Sequence, residues 1–182
     1  MELRLPDNQL AGVIPLNLGK LTHLELLALS RNRLIGTIPP QLSSLSRLSV
    51  LTLYGNQLSG EIPPKLGNLG RLRWLDLNTN QLQGTIPSEL GRLSKLETLD
   101  LSINRLTGPV PPALGRLSLL EGLKLNGNQL HGAIPAELTG LSRLYVLALG
   151  GGNDLTGCLS ETLRAVPLSD VTNLGLPLCG PS

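Results

Sequence analysis

The sequence predicts an α/β repeat solenoid, a curved right-handed coil in which each repeat forms one turn, or rung. The first observation is a 24-residue unit, L-x-x-L-x-x-L-x-L-x-x-N-x-L-x-G-x-I-P-x-x-L-x-x, whose clearest copy starts at Leu69. Self-similarity at a fixed period of this length indicates a repeat architecture. The second observation is an aliphatic composition without Phe. We therefore expect stacked rungs to share one leucine-filled core instead of forming a central globular one.

The repeat begins almost at the first residue, because Leu3, Leu5 and Asn8 already occupy repeat positions. We place about seven rungs at residues 1–157 and a C-terminal cap at residues 158–182. Solenoids normally close each end with an atypical repeat that hides the last apolar layer, and no such N-terminal cap is visible. We therefore expect either missing upstream residues or a covering chain. One possible partner is a second copy, which would pair through the open first rung.

The L-x-x-L-x-L segment of each repeat is predicted to be a short strand of a parallel sheet on the concave side. Alternation places Leu51 and Leu53 inward and Thr52 outward. The inward asparagine that follows would cost ~1–3 kcal/mol if its amide were unpaired. We therefore expect it to bond the backbone of its turn and of the next rung, forming a ladder of Asn8, Asn32, Asn56, Asn80, Asn104, Asn128 and Asn153.

The G-x-I-P segment of each repeat predicts the opposite, convex side. Glycine suits a backbone position that a side chain would obstruct. Proline fixes φ and removes a hydrogen-bond donor, which favours an extended or 3₁₀ segment over a long helix.

The pattern N-x-L-x-G-x-I-P-x-x-L resembles the plant-type leucine-rich repeat of receptor-like kinase ectodomains and polygalacturonase-inhibiting proteins. The match covers residues 1–157 and implies an α/β leucine-rich repeat solenoid. It also implies an extracellular or cell-surface module that binds proteins, peptides or cell-wall carbohydrate. The chain departs from these proteins because it lacks their cysteine-bearing N-terminal cap, a Phe spine and any N-x-S/T glycosylation site.

The repeat breaks at Gly150-Gly151-Gly152, where one extra residue predicts a bulge before Asn153. No G-K-S/T follows these glycines, so they do not indicate a phosphate-binding loop. We expect a short helix from Glu161 to Val166, with Leu159, Leu163 and Val166 on the last rung, and an irregular tail over 170–179.

The only cysteines are Cys158 and Cys179. The resemblance implies a disulfide between them, because paired cap cysteines recur in this family, and the alternative is two buried free thiols. Two cysteines without a neighbouring histidine do not predict a metal site. We identify no cofactor-binding pattern.

Net charge and hydropathy favour neither nucleic-acid binding nor a transmembrane helix in this chain. A net charge of +2 does not indicate nucleic acid. No apolar run approaches the ~18 residues that a transmembrane helix needs.

The outward strand positions form columns across the concave face, and one cluster within them is the candidate binding site. Trp74 is the only tryptophan and is predicted to point outward. An exposed aromatic ringed by polar groups is typical of a binding hot spot. The alternative is a half-buried Trp74 that packs on Val50 and Thr98 without a ligand. The candidate ligand-binding residues are Trp74, Tyr54, Asp76, Asn78, Asp100, Lys124 and Val50.

A second candidate surface is basic. One repeat position, interrupted by Leu119, carries cations along the edge where the chain enters each strand, and we call it the basic stripe: His23, Arg47, Arg71, Lys95 and Arg143. It would suit a polyanion such as pectate, or a membrane surface. The alternative is a solvated edge, partly neutralised by Glu25, Glu97 and Glu121.

The sequence does not favour an enzyme. No serine has a plausible His–Asp partner. Asp76 and Asp100 lie on adjacent rungs, but we expect a solvated pair on an open surface and not a catalytic pair. The favoured function is non-catalytic recognition of a protein or peptide on the concave face. The alternatives are pectate-like binding and a structural repeat fragment of a larger protein.

Overall fold

A computed structural model describes residues 1–180, so residues 181 and 182 of the predicted cap lie outside the described chain. Each rung runs through a strand, an asparagine turn, a second strand and a 3₁₀ helix. The strands are β1 (Glu2–Arg4), β2 (Ala11–Val13), β3 (Leu26–Ala28), β4 (Arg33–Gly36), β5 (Val50–Thr52), β6 (Gln57–Gly60), β7 (Trp74–Asp76), β8 (Gln81–Thr85), β9 (Thr98–Asp100), β10 (Arg105–Gly108), β11 (Gly122–Lys124), β12 (Gln129–Ala133), β13 (Val146–Ala148), β14 (Asp154–Thr156) and β15 (Leu168–Ser169).

The helices lie between these strands. One α-helix, α1, spans Glu161–Arg164. The 3₁₀ helices are Leu16–Lys20, Pro40–Ser44, Pro64–Asn68, Ser88–Arg92, Pro112–Arg116, Ala136–Gly140 and Val171–Leu174. Most follow the repeat's Ile-Pro or Val-Pro pair directly, which confirms the predicted 3₁₀ segments of the convex side.

Two parallel sheets run along the solenoid. The odd-numbered strands form an eight-stranded sheet in chain order, in which Leu51 pairs with Leu75, 24 residues later. Its outward side is called the concave face below. The remaining strands form a seven-stranded sheet in which Gly12 pairs with Leu34, 22 residues later. The solenoid class is thereby confirmed.

The second sheet was not predicted, because its strands are short and contain a glycine that weakens the strand pattern. Gly60 takes a φ of +76°, and a Cβ there would lie 2.8 Å from Cγ2 of Thr37 on the preceding rung. Close contact between rungs, and not local propensity, therefore forms this sheet.

The interior is a continuous layer of buried leucines, and the asparagine ladder crosses it. Asn104 shows the pattern: its Nδ2 donates to the carbonyls of Leu101 and Ser102 in its own turn and of Leu77 on the preceding rung, at 3.1–3.2 Å. Its Oδ1 accepts from Leu82 N at 3.0 Å. The partner rung is the preceding one and not the next, since Leu77 and Leu82 lie 27 and 22 residues before Asn104.

The extra residue in the last repeat is absorbed by Gly151 and Gly152, whose φ angles are +65° and +107°. Asn153 consequently keeps its ladder bonds, donating to Leu125 O at 3.0 Å and accepting from Leu130 N at 2.9 Å.

The C-terminal segment is more ordered than predicted. The short helix is present as α1, and Leu159, Leu163 and Val166 are buried as expected. The expectation of an irregular tail is wrong: β15 just precedes it as the eighth strand, and the tail itself includes a 3₁₀ helix and a β-bridge between Leu159 and Leu178. Backbone hydrogen bonds to the preceding rung, from Leu168 N to Tyr145 O and from Asp170 N to Leu147 O, order this segment. Its composition does not predict these bonds.

Two further contacts attach this segment. Cys158 and Cys179 form a disulfide with their Cα atoms 4.9 Å apart. The carboxylate of Asp170 accepts from Leu149 N at 2.7 Å and Gly150 N at 2.9 Å.

The first rung differs from this closed end. Its Asn8 is exposed, and the Nδ2 atom donates only to Pro6 O among residues 1–180. The first 21 residues also carry five exposed apolar side chains, namely Met1, Leu5, Val13, Leu16 and Leu21. Self-association through this rung stays a prediction.

Candidate functional site

A depression lies on the concave face between β7 and β13. Its cavity volume is 370 Å³, and the lining residues are Trp74, Asp76, Asn78, Thr98, Asp100, Glu121, Gly122, Lys124, Tyr145 and Val146. We call it the concave depression. Neighbouring parallel strands lie about 4.8 Å apart, so its three strand-to-strand steps extend roughly 14 Å along the solenoid.

The structure brings together five of the seven predicted ligand-binding residues in this depression: Trp74, Asp76, Asn78, Asp100 and Lys124. Trp74 is 44% exposed, so a large part of its surface is open to a ligand, while packing on Val50 and Thr98 stays the alternative. Val50 and Tyr54 are half-buried and lie outside the depression. Their part in binding stays a prediction.

Glu121 and Tyr145 line the depression but were missed. Both occupy the residue just before a strand, which strict alternation treats as an edge position. The repeat itself carried a signal, because the two positions between the first two leucines of L-x-x-L-x-L cannot both point inward. Tyr145 is 55% exposed.

Gly122 accounts for the depth of the depression. The neighbouring positions of its column carry Trp74, Thr98 and Val146, whereas Gly122 leaves a gap. A Cβ at this position would come no closer than 3.8 Å to another residue, an ordinary contact with Thr98. The backbone therefore does not require glycine here. Because Gly122 has no side chain, the depression is deeper at this position.

Asp100 is buried and fully paired. Its Oδ1 accepts from Ser102 N at 3.1 Å and from Ser102 Oγ at 2.6 Å. Its Oδ2 lies 3.3 Å from Nζ of Lys124, on the next strand. This carboxylate has a partner within the chain for each oxygen.

Asp76 is buried as well, with 8% of its surface exposed, but only one of its oxygens is paired. Oδ1 accepts from Asn78 N at 3.2 Å and from Asn78 Nδ2 at 2.7 Å. Oδ2 has no donor among residues 1–180. Burial raises the pKa of Asp76 above its ordinary value and the charge of Asp100 adds to the rise, while the Asn78 hydrogen bonds and Lys124 oppose it.

The expectation that Asp76 and Asp100 form a solvated pair is wrong. Both carboxylates lie low between neighbouring side chains, because the turn residues Asn78 and Ser102 draw them toward the backbone. When ionised, they and Glu121 give the depression three negative charges against the single positive charge of Lys124. The depression is therefore locally negative in a chain whose net charge is +2.

The basic stripe lies outside this depression, and all its side chains are exposed. None of them forms an ion pair with a carboxylate of residues 1–180. The expected neutralisation by Glu97 does not occur in that form, because Glu97 pairs with Arg73 at 2.6 Å.

The described chain contains neither a metal-binding cluster nor a membrane-spanning helix. No group of three His, Cys, Asp or Glu side chains within residues 1–180 is arranged to hold a metal ion. No helix in the same range is long and apolar enough to cross a membrane.

Known structures resemble this chain closely. The ectodomain of the receptor kinase GASSHO1/SCHENGEN3 from Arabidopsis thaliana, solved with CASPARIAN STRIP INTEGRITY FACTOR 2, is 46% identical over 92% of this chain and 20% of its own, with a TM-score of 0.88. The Arabidopsis receptor kinase HAESA, solved with the peptide hormone IDA and the co-receptor SERK1, is 35% identical over 98% of this chain and 29% of its own, with a TM-score of 0.87.

A third similar structure has a different role. A plant ice-binding protein is 32% identical over 98% of this chain and 67% of its own, with a TM-score of 0.69. The chain thus spans less than a third of the two receptor chains but two thirds of this one. Among curated protein sequences, none matches this chain.

The family model for the Leucine Rich Repeat matches residues 23–45, 47–69, 71–93 and 95–117, which together make up half of the chain. These segments contain most of the asparagine ladder and the first half of the concave depression. The chain belongs to the leucine-rich repeat family, and its repeats are of the plant type found in receptor-kinase ectodomains.

Proposed function

We propose that this chain is a non-catalytic, extracellular recognition module that binds a peptide, or an extended segment of a protein, along the concave depression. The observation that carries the proposal is the exposed indole of Trp74 at one end of a negatively charged depression, with the exposed ring of Tyr145 at the other. Aromatic side chains ringed by polar groups dominate the energy of many binding surfaces.

The dimensions support a peptide. A depression of roughly 14 Å accommodates about four residues of extended chain at ~3.3 Å per residue. The gap at Gly122 leaves room for one side chain to enter between Thr98 and Val146. The open carboxylate, amide and ammonium groups offer both acceptors and donors to a peptide backbone.

The similar receptors support the same class of ligand. HAESA was solved with a peptide hormone. The similarity to an ice-binding protein shows that one fold carries different ligands, so the proposal depends on the depression and not on the fold.

A catalytic role finds less support in the geometry. The paired oxygens of Asp100 leave it no free basic position, since Ser102 and Lys124 occupy them. Asp76 has no second free carboxylate beside it to act with. Neither histidine lines the depression.

The experiment is selection of a displayed random peptide library on the folded chain, followed by affinity measurement of the selected peptides. Trp74→Ala is expected to weaken binding at least tenfold, since it removes the largest exposed aromatic side chain of the depression. The matched control is Ile35→Ala, which shortens an apolar side chain of nearly the same exposure on the second sheet. Tyr54→Ala shows whether the site extends beyond the depression.

Two results would contradict the proposal. One is a set of peptides that bind the wild type and Trp74→Ala equally well. The other is cleavage or chemical change of the selected peptides on incubation with the wild type, measured by mass spectrometry, because a recognition module returns its ligand intact.

A second candidate function is binding of an anionic polysaccharide to the basic stripe, favoured by the absence of ion pairs there in residues 1–180. Oligogalacturonate binding measured at two salt concentrations tests it. Binding at low salt that weakens strongly at high salt and is lost in Arg47→Gln/Arg71→Gln would support it. Absence of binding at low salt would exclude it.

A further inference from the structure

We propose that the Trp74–Asp76 end of the concave depression binds one cationic side chain, Lys or Arg, of the peptide. This inference rests on the proposed function and adds the chemistry of one ligand position. It concerns the pocket formed by the indole of Trp74 and the free oxygen of Asp76.

The two residues are placed to share a cation. Both lie on β7, two positions apart, so their side chains leave the same face of the sheet, with Cα atoms about 6.6 Å apart. A cation is attracted to an indole face within about 6 Å of the ring centre. An ammonium or guanidinium group seated there is within reach of the Asp76 carboxylate.

The carboxylate of Asp76 has an unmet hydrogen-bonding capacity. Its residue is 92% buried, Oδ1 is held by Asn78, and Oδ2 has no donor in residues 1–180 while the residue lines the depression. Oδ2 opens into the depression, and a charged donor is the partner that a carboxylate oxygen of a largely desolvated residue binds most strongly. The oxygen thus points to a donor that comes with the ligand.

On the adjacent strand, a carboxylate of the same kind does have a cationic partner within the chain. Asp100 lies beside Asp76 and is paired by Lys124 from the next strand, at 3.3 Å. The residues beside Asp76 in the same register are Thr52 and Asp100, and neither carries a positive charge. A ligand cation would occupy at Asp76 the role that Lys124 performs at Asp100.

The chain's own nearby cations are already engaged. Lys124 pairs with Asp100, and Arg73 pairs with Glu97 at 2.6 Å. The raised pKa of Asp76, caused by burial and then by the charge of Asp100, is what an incoming cation would counteract. Charge complementarity therefore favours a cationic occupant over a neutral or acidic one.

The test repeats the peptide selection with Asp76→Asn, which keeps the size of the side chain and an oxygen for Asn78. Peptides selected on the wild type are expected to be enriched in Lys or Arg at one position, and those selected on Asp76→Asn are not. For one selected peptide, changing that residue to Gln should weaken binding at least tenfold on the wild type and less than twofold on Asp76→Asn. Fluorescence reports binding directly, because Trp74 is the only tryptophan.

The outcomes separate the two proposals. Peptides that need Trp74 but show no cationic position, or that keep it on Asp76→Asn, overturn this inference and leave the proposed function standing. Failure to select any Trp74-dependent peptide overturns the proposed function. In that case N-acetyl-arginine amide at millimolar concentration, followed by NMR of the indole N–H, still tests the pocket. Equal shifts in the wild type and Asp76→Asn would refute it.

Discussion

The asparagine ladder inside the solenoid and the depression on its concave face treat buried polar groups in opposite ways. Asn104 and Asp76 are both more than nine-tenths buried. Asn104 uses its amide nitrogen and its oxygen on backbone groups of its own chain. Asp76 keeps one carboxylate oxygen without a partner in residues 1–180.

This difference separates structural from functional residues in a repeat protein. A position that recurs every 24 residues meets the same backbone in each rung, so its bonds are completed internally. A position that varies can leave a group unpaired without affecting other rungs. A polar group without a hydrogen-bond partner on the concave face is therefore a better indicator of a ligand site than a polar residue that recurs in every repeat.

The strongest test of this comparison changes the ladder. Asn104→Ala should lower the free energy of unfolding by about 3 kcal/mol, since Leu82 N–H loses the acceptor Asn104 Oδ1 at ~1–3 kcal/mol and the shortened side chain leaves a cavity. The Leu77 carbonyl keeps Asn80 Nδ2 as its donor. Asn8→Ala should have almost no effect, because Asn8 is exposed and its side chain donates only to Pro6 O among residues 1–180. Urea denaturation followed by circular dichroism measures both. Equal losses of unfolding free energy in the two variants would show that burial does not determine how much a ladder asparagine stabilises the fold.

The second-largest expected effect on stability comes from the disulfide at the C-terminal end of the solenoid. The disulfide joins residues 21 apart. In the chain-entropy model, closing a loop of this size contributes ~3 kcal/mol. Cys158→Ser/Cys179→Ser should therefore melt at a lower temperature. Hydrogen exchange is expected to increase first in β13 to β15, since solenoid stability depends on neighbouring rungs.

Peptide affinity in this double variant provides the control. The concave depression lies on β7 to β13 and contains neither cysteine. A loss of affinity as large as that of Trp74→Ala would contradict the separation of the end from the site.

Two glycines give a matched pair with opposite roles. A Cβ on Gly91 would overlap the backbone oxygen of Ala113 on the next rung, whereas one on Gly122 would meet only Thr98 at 3.8 Å. Gly91→Ala should cost ~1–3 kcal/mol of stability through overpacking. Gly122→Ala should leave stability within ~0.5 kcal/mol. It should nevertheless weaken peptide binding, because it fills the depression. Unchanged affinity in Gly122→Ala would remove this position from the site.

The repeat made the fold predictable, and the departures from it limited the prediction of the site. Alternation placed Leu51 inside and Trp74 outside, as the structure has them. It treated Asp76 as solvated, because a column of outward positions carries no information about how turn residues such as Asn78 draw a carboxylate down. The second sheet depends on contacts between rungs, which a single repeat does not contain.

The smallest expected effect is a pH dependence of the free energy of unfolding. Asp76 causes it, whereas the ladder asparagines do not titrate. Burial raises the pKa of Asp76 above its ordinary value of about 3.9, so the folded chain holds this proton more firmly than the unfolded chain. The wild-type free energy of unfolding should therefore contain a penalty that is absent at about pH 3 and grows as pH rises through the folded pKa to its full size near pH 7. Asp76→Asn, which does not titrate, should match the wild type in acid and exceed it at neutral pH in urea denaturation. A difference that does not change with pH would mean that Asp76 is as well satisfied as Asn104. If a selected peptide removes the difference at neutral pH, the ligand supplies the partner that the chain withholds from this oxygen.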